Sequence, residues 1–191
     1  LKFNRLQYPS LMRYRTPLLV GLSMVIIAVG MISFYILSSS RPQEIILTAR
    51  EFGYNNFSGG PVLKIKAGEN VRIFLENRGG VAHEFMVVTD KDGFTRELKR
   101  VASELYSPSI SIEELERDPR LEMVHHRYAA ASLLIDGKLM HHLVVKPQES
   151  AYFLLVINRP GLYYYICPRF AATYPDIHAD RGMIGVIMVE P

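Results

Sequence analysis

The sequence predicts an all-β domain, an antiparallel sandwich interrupted by a helical insertion, with one membrane-spanning helix ahead of it. Three observations predict this. After Pro42, short apolar stretches alternate at period two, with turn residues about every 8–12 positions, the spacing of a sandwich. Between Asp90 and His141 the pattern changes to that of amphipathic helix. Before Pro42, the run from Leu18 to Leu37 holds no charge.

That run is twenty residues long. At about 1.5 Å per residue it reaches roughly 30 Å, the thickness of a bilayer's hydrocarbon core. It exceeds the roughly 7–15 apolar residues of a cleaved signal, and Ser38-Ser39-Ser40 offers no A-x-A-like cleavage site, so an uncleaved anchor is expected. Lys2, Arg5, Arg13 and Arg15 precede it without an acid, which leaves the N-terminus in the cytoplasm. The expected organisation is a basic cytoplasmic segment over 1–17, a transmembrane helix over 18–38, a linker over 39–43 and an exported, extracytoplasmic domain over 44–191.

The whole chain carries 22 bases and 19 acids, a net charge of +3. Without the four bases ahead of the apolar run, 18 bases face 19 acids. The positive balance therefore belongs to the topogenic tail, and a nucleic-acid partner is not expected. The lipid bilayer is.

Ile45 to Phe52 reads as the first strand, followed by a loop through Asn55-Asn56 and Ser58-Gly59-Gly60-Pro61. Val62 to Lys66 and Val71 to Glu76 alternate, separated by the turn Ala67-Gly68-Glu69-Asn70. Asn77-Arg78-Gly79-Gly80 leads into a strand from Val81 to Val88. Within the insertion, expected over about 90–141, Phe94, Leu98, Val101, Ala102 and Leu105 mark one face of a helix that Ser107-Pro108 stops. Ser111 and Glu114 form a capping box for a second helix ending near Asp118-Pro119, and helix-favouring residues continue to about Arg127. Sheet returns at Leu143–Lys146, Tyr152–Ile157, Tyr163–Ile166 and Met183–Val189.

The chemistry is concentrated in the last quarter. Cys167 is the single cysteine, ten residues separate it from His178, and four more separate His178 from Met183. A lone exported thiol is a liability unless it is buried and inert or committed to a metal. A thiolate, an imidazole and a thioether are three of the four ligands of a blue-copper centre, and His83, on a distant strand, supplies the fourth. Each has a plainer reading: His83 as a hydrogen-bonded strand histidine, Met183 as core. His125-His126 and His141-His142 come as adjacent pairs, and adjacent strand residues face opposite sides, so neither pair is a natural chelate. Solvated or helix-associated histidines are expected there, with Met123 or Met140 as the conceivable partners of a second site.

Residues 44–88 and 142–191 resemble the cupredoxins, the plastocyanin and azurin family. The matching pieces are Thr48-Ala49-Arg50-Glu51-Phe52, Lys66-Ala67-Gly68-Glu69, His83-Glu84-Phe85, Pro160-Gly161-Leu162-Tyr163 before Cys167-Pro168, and Gly182-Met183-Ile184-Gly185. The resemblance implies a Greek-key cupredoxin sandwich with one type 1 copper held by His83, Cys167, His178 and the axial Met183. It implies single-electron transfer rather than catalysis, with a respiratory or photosynthetic membrane complex and a soluble redox protein as partners. His178, in the loop, is expected to face the partner. The chain departs from the family twice. Ten residues between Cys167 and His178 exceed the usual few, so Phe170 to Asp176 must bulge, and the insertion replaces a shorter connection and is expected to dock a partner.

The composition excludes several neighbours in function. One cysteine cannot build a binuclear copper site with two bridging thiolates, and several His-x-His pairs of a multicopper oxidase are lacking. Neither G-x-S-x-G nor H-E-x-x-H occurs. The alternative from another class is a metal-free cupredoxin-like subunit that stabilises a larger membrane complex. Copper delivery would call for exposed Met/His-rich runs, of which only the histidine pairs are reminiscent.

Overall fold

The computed structural model describes residues 24–31 and 42–191. Residues 24–31 form helix α1, inside the expected membrane span. The rest of that span, the basic segment 1–17 and residues 39–41 of the linker lie outside the described residues. Among the described residues no helix is long and apolar enough to cross a membrane. Pro42–Pro191 forms a compact unit of its own.

Two five-stranded sheets build that unit. The first contains β1 (Gln43–Ala49), β5 (Val71–Asn77), β10 (Ser150–Leu155), β7 (Leu133–Ile135) and β8 (Lys138–Met140), in that order. The second contains β4 (Val62–Lys66), β12 (Ile184–Glu190), β11 (Gly161–Ile166), β6 (His83–Val88) and β9 (His142–Val145). A small ribbon joins β2 (Phe52–Gly53) to β3 (Ser58–Gly59). The chain changes sheet at each step from β4 through β5 to β6, and again from β9 through β10 to β11. Such crossings are the Greek-key character of sandwiches.

The sandwich is not wholly antiparallel. β1 runs parallel to β5, and β4 runs parallel to β12. Because β1 and β5 are joined through the other sheet rather than by a hairpin, nothing forces them to run in opposite directions.

Alternation fixes which side chains fill the space between the sheets. In β5, Val71, Ile73, Leu75 and Asn77 are buried while the residues between them are more exposed. Val71, Ile73 and Leu75 meet Phe85, Phe153, Tyr165 and Ile187 in one core. β6 breaks the alternation, since all six of its residues are buried. A strand covered on both faces needs a second layer. That layer is the insertion: α2 (Lys91–Leu105), α3 (Ile112–Leu115) and α4 (Pro119–Tyr128). Phe94, Leu98, Val101 and Ala102, the apolar face expected for α2, pack with Met86 and Val88 of β6.

Local chemistry sets the helix ends. Asp90 Oδ1 accepts from Gly93 N–H at 2.8 Å, so Asp90 is the cap of α2. The Ser111 and Glu114 capping box is present. Pro119 does not end α3 but opens α4, behind the cap Asp118, because proline tolerates the first helical position. The helical insertion is also shorter than expected. Its last residues form the β7–β8 hairpin, which belongs to the first sheet through β10. The overlooked signal is Asp136-Gly137, both at positive φ (47° and 78°), a two-residue hairpin turn between Leu133-Leu134-Ile135 and Lys138-Leu139-Met140.

Candidate metal centre

Two neighbouring strands hold the ends of the loop that carries most of the donors. Ile166 of β11 pairs with Ile184 of β12, and Cys167 N–H donates to Met183 C=O at 3.0 Å. Cys167 and Met183 thus sit opposite each other where the loop leaves and rejoins the sheet. Both are buried in the sandwich core.

The ten intervening residues do not carry His178 away. They form a short hairpin in which Phe170 and Ile177 make an antiparallel bridge and Ala171 N–H donates to Asp176 C=O at 2.7 Å. His178 N–H then donates to Arg169 C=O at 2.8 Å and Ala179 N–H to Cys167 C=O at 3.0 Å. A single 3-10 turn, His178–Arg181, follows, closed by Gly182 at φ 107°, a conformation a side chain would strain. Met183 N–H donates back to His178 C=O at 2.9 Å.

His83 arrives from the strand paired with β11 on its other side, at the start of β6. Buried Asn77 shapes its approach: Nδ2 donates to Val81 C=O (2.8 Å) and Val145 C=O (2.9 Å), and Oδ1 accepts from Gly79 N–H (2.8 Å). A Cβ on Gly79 would stand 2.8 Å from His83 Nε2, closer than atoms pack. Only glycine lets the backbone lie against that ring. In the sequence Asn77 and Gly79 only mark the approach to the strand that carries His83.

The three donor atoms converge. His83 Nδ1 lies 3.2 Å from His178 Nδ1, and Cys167 Sγ lies 3.4 Å from His178 Nδ1 and 4.0 Å from His83 Nδ1. A triangle with these sides is acute, and its centre stands roughly 2.1 Å from each corner, within the span of metal–imidazole and metal–thiolate bonds. Two nitrogens and one sulfur in a plane suit a soft or borderline ion such as copper.

The electrostatics agree with a site that awaits a cation. Burial first, then its neighbour His178, lowers His83 to about 3, and burial lowers His178 to about 4. Both imidazoles are therefore neutral and free to coordinate. Burial pushes the Cys167 thiol up to about 12, against the opposing effect of backbone N–H groups of Glu84, 3.2 Å from Sγ, and of Arg169. A metal ion held by His83, Cys167 and His178 would supply the positive charge that favours the thiolate.

His178 is 5% exposed and His83 and Cys167 are 0% exposed. Of the two histidines His178 is thus the nearer to the surface, and the Phe52 ring stands edge-on to it at 5.7 Å. The insertion also does something the sequence did not reveal. Arg169, next in the loop, pairs with Glu116 at 2.5 Å, and Glu116 Oε1 accepts from Phe170 N–H at 2.9 Å. Tyr174 at the loop tip stacks on Tyr106 at 4.1 Å, and Asp180 pairs with Lys99 at 2.6 Å.

Of the histidine pairs, His125 and His126 are helix-associated, on α4, as one of the two expectations had it, but they and their counterparts are not simply solvated. The structure takes one member from each: His125 and His142 are drawn together beside Glu84, with ring centroids 5.1 Å apart. His126 and His141 meet edge to face at 4.2 Å. Met123 and Met140 are exposed and do not join them.

No protein-family model matches the chain, and no curated protein matches its sequence. Among solved structures, an auracyanin from Roseiflexus castenholzii is similar at 17% identity and a TM-score of 0.47, covering 78% of this chain and 98% of that one. Auracyanin A, a blue copper protein from Chloroflexus aurantiacus, gives 16% identity and a TM-score of 0.48 over 78% of this chain and 100% of its own. A copper-containing nitrite reductase from Thermus scotoductus gives 20% and 0.44, covering 79% of this chain and 28% of that one. At such scores these likenesses carry no weight of their own, and the site stands on its geometry.

Proposed function

We propose that residues 42–191 hold one type 1 copper ion through His83, Cys167 and His178, with Met183 as axial ligand, and carry single electrons. The observation that supports this most directly is the donor triangle of 3.2, 3.4 and 4.0 Å, built from two imidazoles and a thiol on buried, hydrogen-bonded backbone. Copper in such a set exchanges one electron with little rearrangement of its ligands. The rest of the work falls to the chain. The Glu84 and Arg169 N–H groups hold the sulfur, Asn77 fixes the approach to His83, and the 170–177 hairpin returns His178 to its place. None of the three donors is more than 5% exposed, so electrons reach the centre but a substrate does not. This favours a carrier over an enzyme.

The reading continues to the membrane. The uncharged run 18–37, helical over 24–31, anchors the chain with its N-terminus in the cytoplasm and the copper domain outside. Tethering raises the effective concentration of the domain near a membrane-embedded redox complex, with a soluble redox protein as the other partner. The anchor is tested by carbonate extraction of membranes: release of the chain into the supernatant would overturn it.

Adding Cu(II) to the purified protein gives an intense visible thiolate-to-copper absorption that Cys167→Ser abolishes. A colourless protein without bound copper would overturn the electron-carrier reading and leave the metal-free structural subunit in its place.

A further inference from the structure

We propose that Glu84, His125 and His142 form a second metal site, for a borderline divalent cation such as Zn²⁺, on the opposite face of the same strand as His83. The pleat of β6 separates the two centres. His83, Phe85 and Val87 point toward the sandwich, so Glu84 and Met86 point toward the helices. His142 of β9 is paired with Met86 and shares that outer face, and α4 brings His125 down onto it. Three separate, packed elements thus supply one donor each.

The donor atoms lie close. His142 Nδ1 is 3.1 Å and His125 Nδ1 3.7 Å from Glu84 Oε1, and the three donors all fall within 4.8 Å of one another. Yet these same three atoms, Glu84 Oε1, His125 Nδ1 and His142 Nδ1, are buried and lack a hydrogen-bond partner. At 3.1 Å a ring N–H aimed at the carboxylate would count as a hydrogen bond, so the His142 ring is close to the carboxylate without being aimed at it. Buried polar atoms are almost always satisfied, and three unsatisfied ones converging mark a missing occupant. Two imidazoles and a carboxylate are a donor set for zinc-like ions.

The surroundings favour a cation with room beside it. A cavity of about 250 Å³ opens onto the three residues, and its lining carries four carboxylates, those of Glu84, Glu113, Glu116 and Glu122, against two guanidinium groups. Arg169, one of those two, is already paired with Glu116. Glu122 Oε2 stands 3.9 Å from His125 Nδ1 and 3.8 Å from His142 Nε2 at the exposed side, where it serves as a fourth ligand or yields to water. Neither His83 nor Cys167 nor His178 lines this cavity.

The test is zinc binding by the full chain, with Cys167→Ser present so that the thiolate site cannot compete. Equilibrium dialysis against Zn²⁺ followed by metal analysis is expected to show one zinc per chain that His142→Ala and the nearly isosteric Glu84→Gln each weaken at least tenfold. In the copper-loaded chain with Cys167 intact, His142→Ala is expected to keep the visible band, which reports a folded protein and an undisturbed first centre. Absence of zinc uptake, or uptake that ignores both substitutions, overturns the proposal and leaves a water-filled polar cavity. Failure of the copper reading would show instead as a missing visible band, with zinc uptake unaffected.

Discussion

Phe170 and Ile177 face each other across the neck of the metal loop, and both are buried against the helices of the insertion. The lengthened loop and the helical insertion therefore form one device. The loop leaves the sheet after Cys167, lays its neck on α2 and α4 side chains, and returns with His178 beside the sulfur. Truncating a buried phenylalanine costs about 3–5 kcal/mol. Phe170→Ala is expected to lower stability by that order in urea denaturation and to weaken copper retention as well. An unchanged midpoint would show that the neck does not hold the loop.

Much of this was legible beforehand. The period-two strands, the amphipathic face of α2, the capping box at Ser111 and the three donors that converge, His83, Cys167 and His178, follow from order and residue type. The fate of the ten-residue gap did not, because packing on the insertion's helices and a salt bridge to Glu116 join positions far apart in sequence. The histidine pairs were obscure for a related reason. The rule that neighbours in a strand diverge is correct for each pair, but it does not say which member lands on the face that Glu84 shares.

The Glu116–Arg169 pair is the polar counterpart of the Phe170 neck. Its side chains are 14% and 21% exposed, and Glu116 also accepts the Phe170 N–H. Breaking a fully buried pair costs about 3–5 kcal/mol, and partial exposure reduces this to about 2 kcal/mol for Glu116→Ala. Glu116→Gln keeps an acceptor for Phe170 and is expected to lose less. Thermal melts of the two variants compare the terms directly, and equal losses would mean that the charge alone matters.

Asn77 supports the other side of the centre. Asn77→Ala strands the Gly79 N–H and the carbonyls of Val81 and Val145, at a cost of about 3 kcal/mol for a buried set. Gly79→Ala would instead force a methyl group against His83 Nε2. Both are expected to shift the visible absorption of the copper-loaded protein through His83, the glycine variant with less loss of stability. A spectrum identical to that of the parent in both variants would remove these residues from any positioning role.

The buried titratable groups set how the metal-free protein responds to pH. Burial chiefly depresses His83 and His125 to about 3 and His178 to about 4, from an ordinary 6.5. As pH falls below about 6.5 the unfolded chain takes up protons that the folded protein refuses, so stability declines steadily toward pH 4. Glu84 acts on the other side. Burial raises it from 4.5 to about 8, so the folded protein keeps a proton that the unfolded chain has released, and stability declines as pH rises through that window. His142 is lowered by burial as well, so four histidines oppose the Glu84 carboxyl, the maximum falls at about pH 7 and the acid limb is the steeper. Melting temperatures of the metal-free protein between pH 4 and 9 check this. A midpoint that is flat or rising toward pH 4 contradicts the histidine burial, and Glu84→Gln is expected to flatten the alkaline limb while leaving the acid one in place.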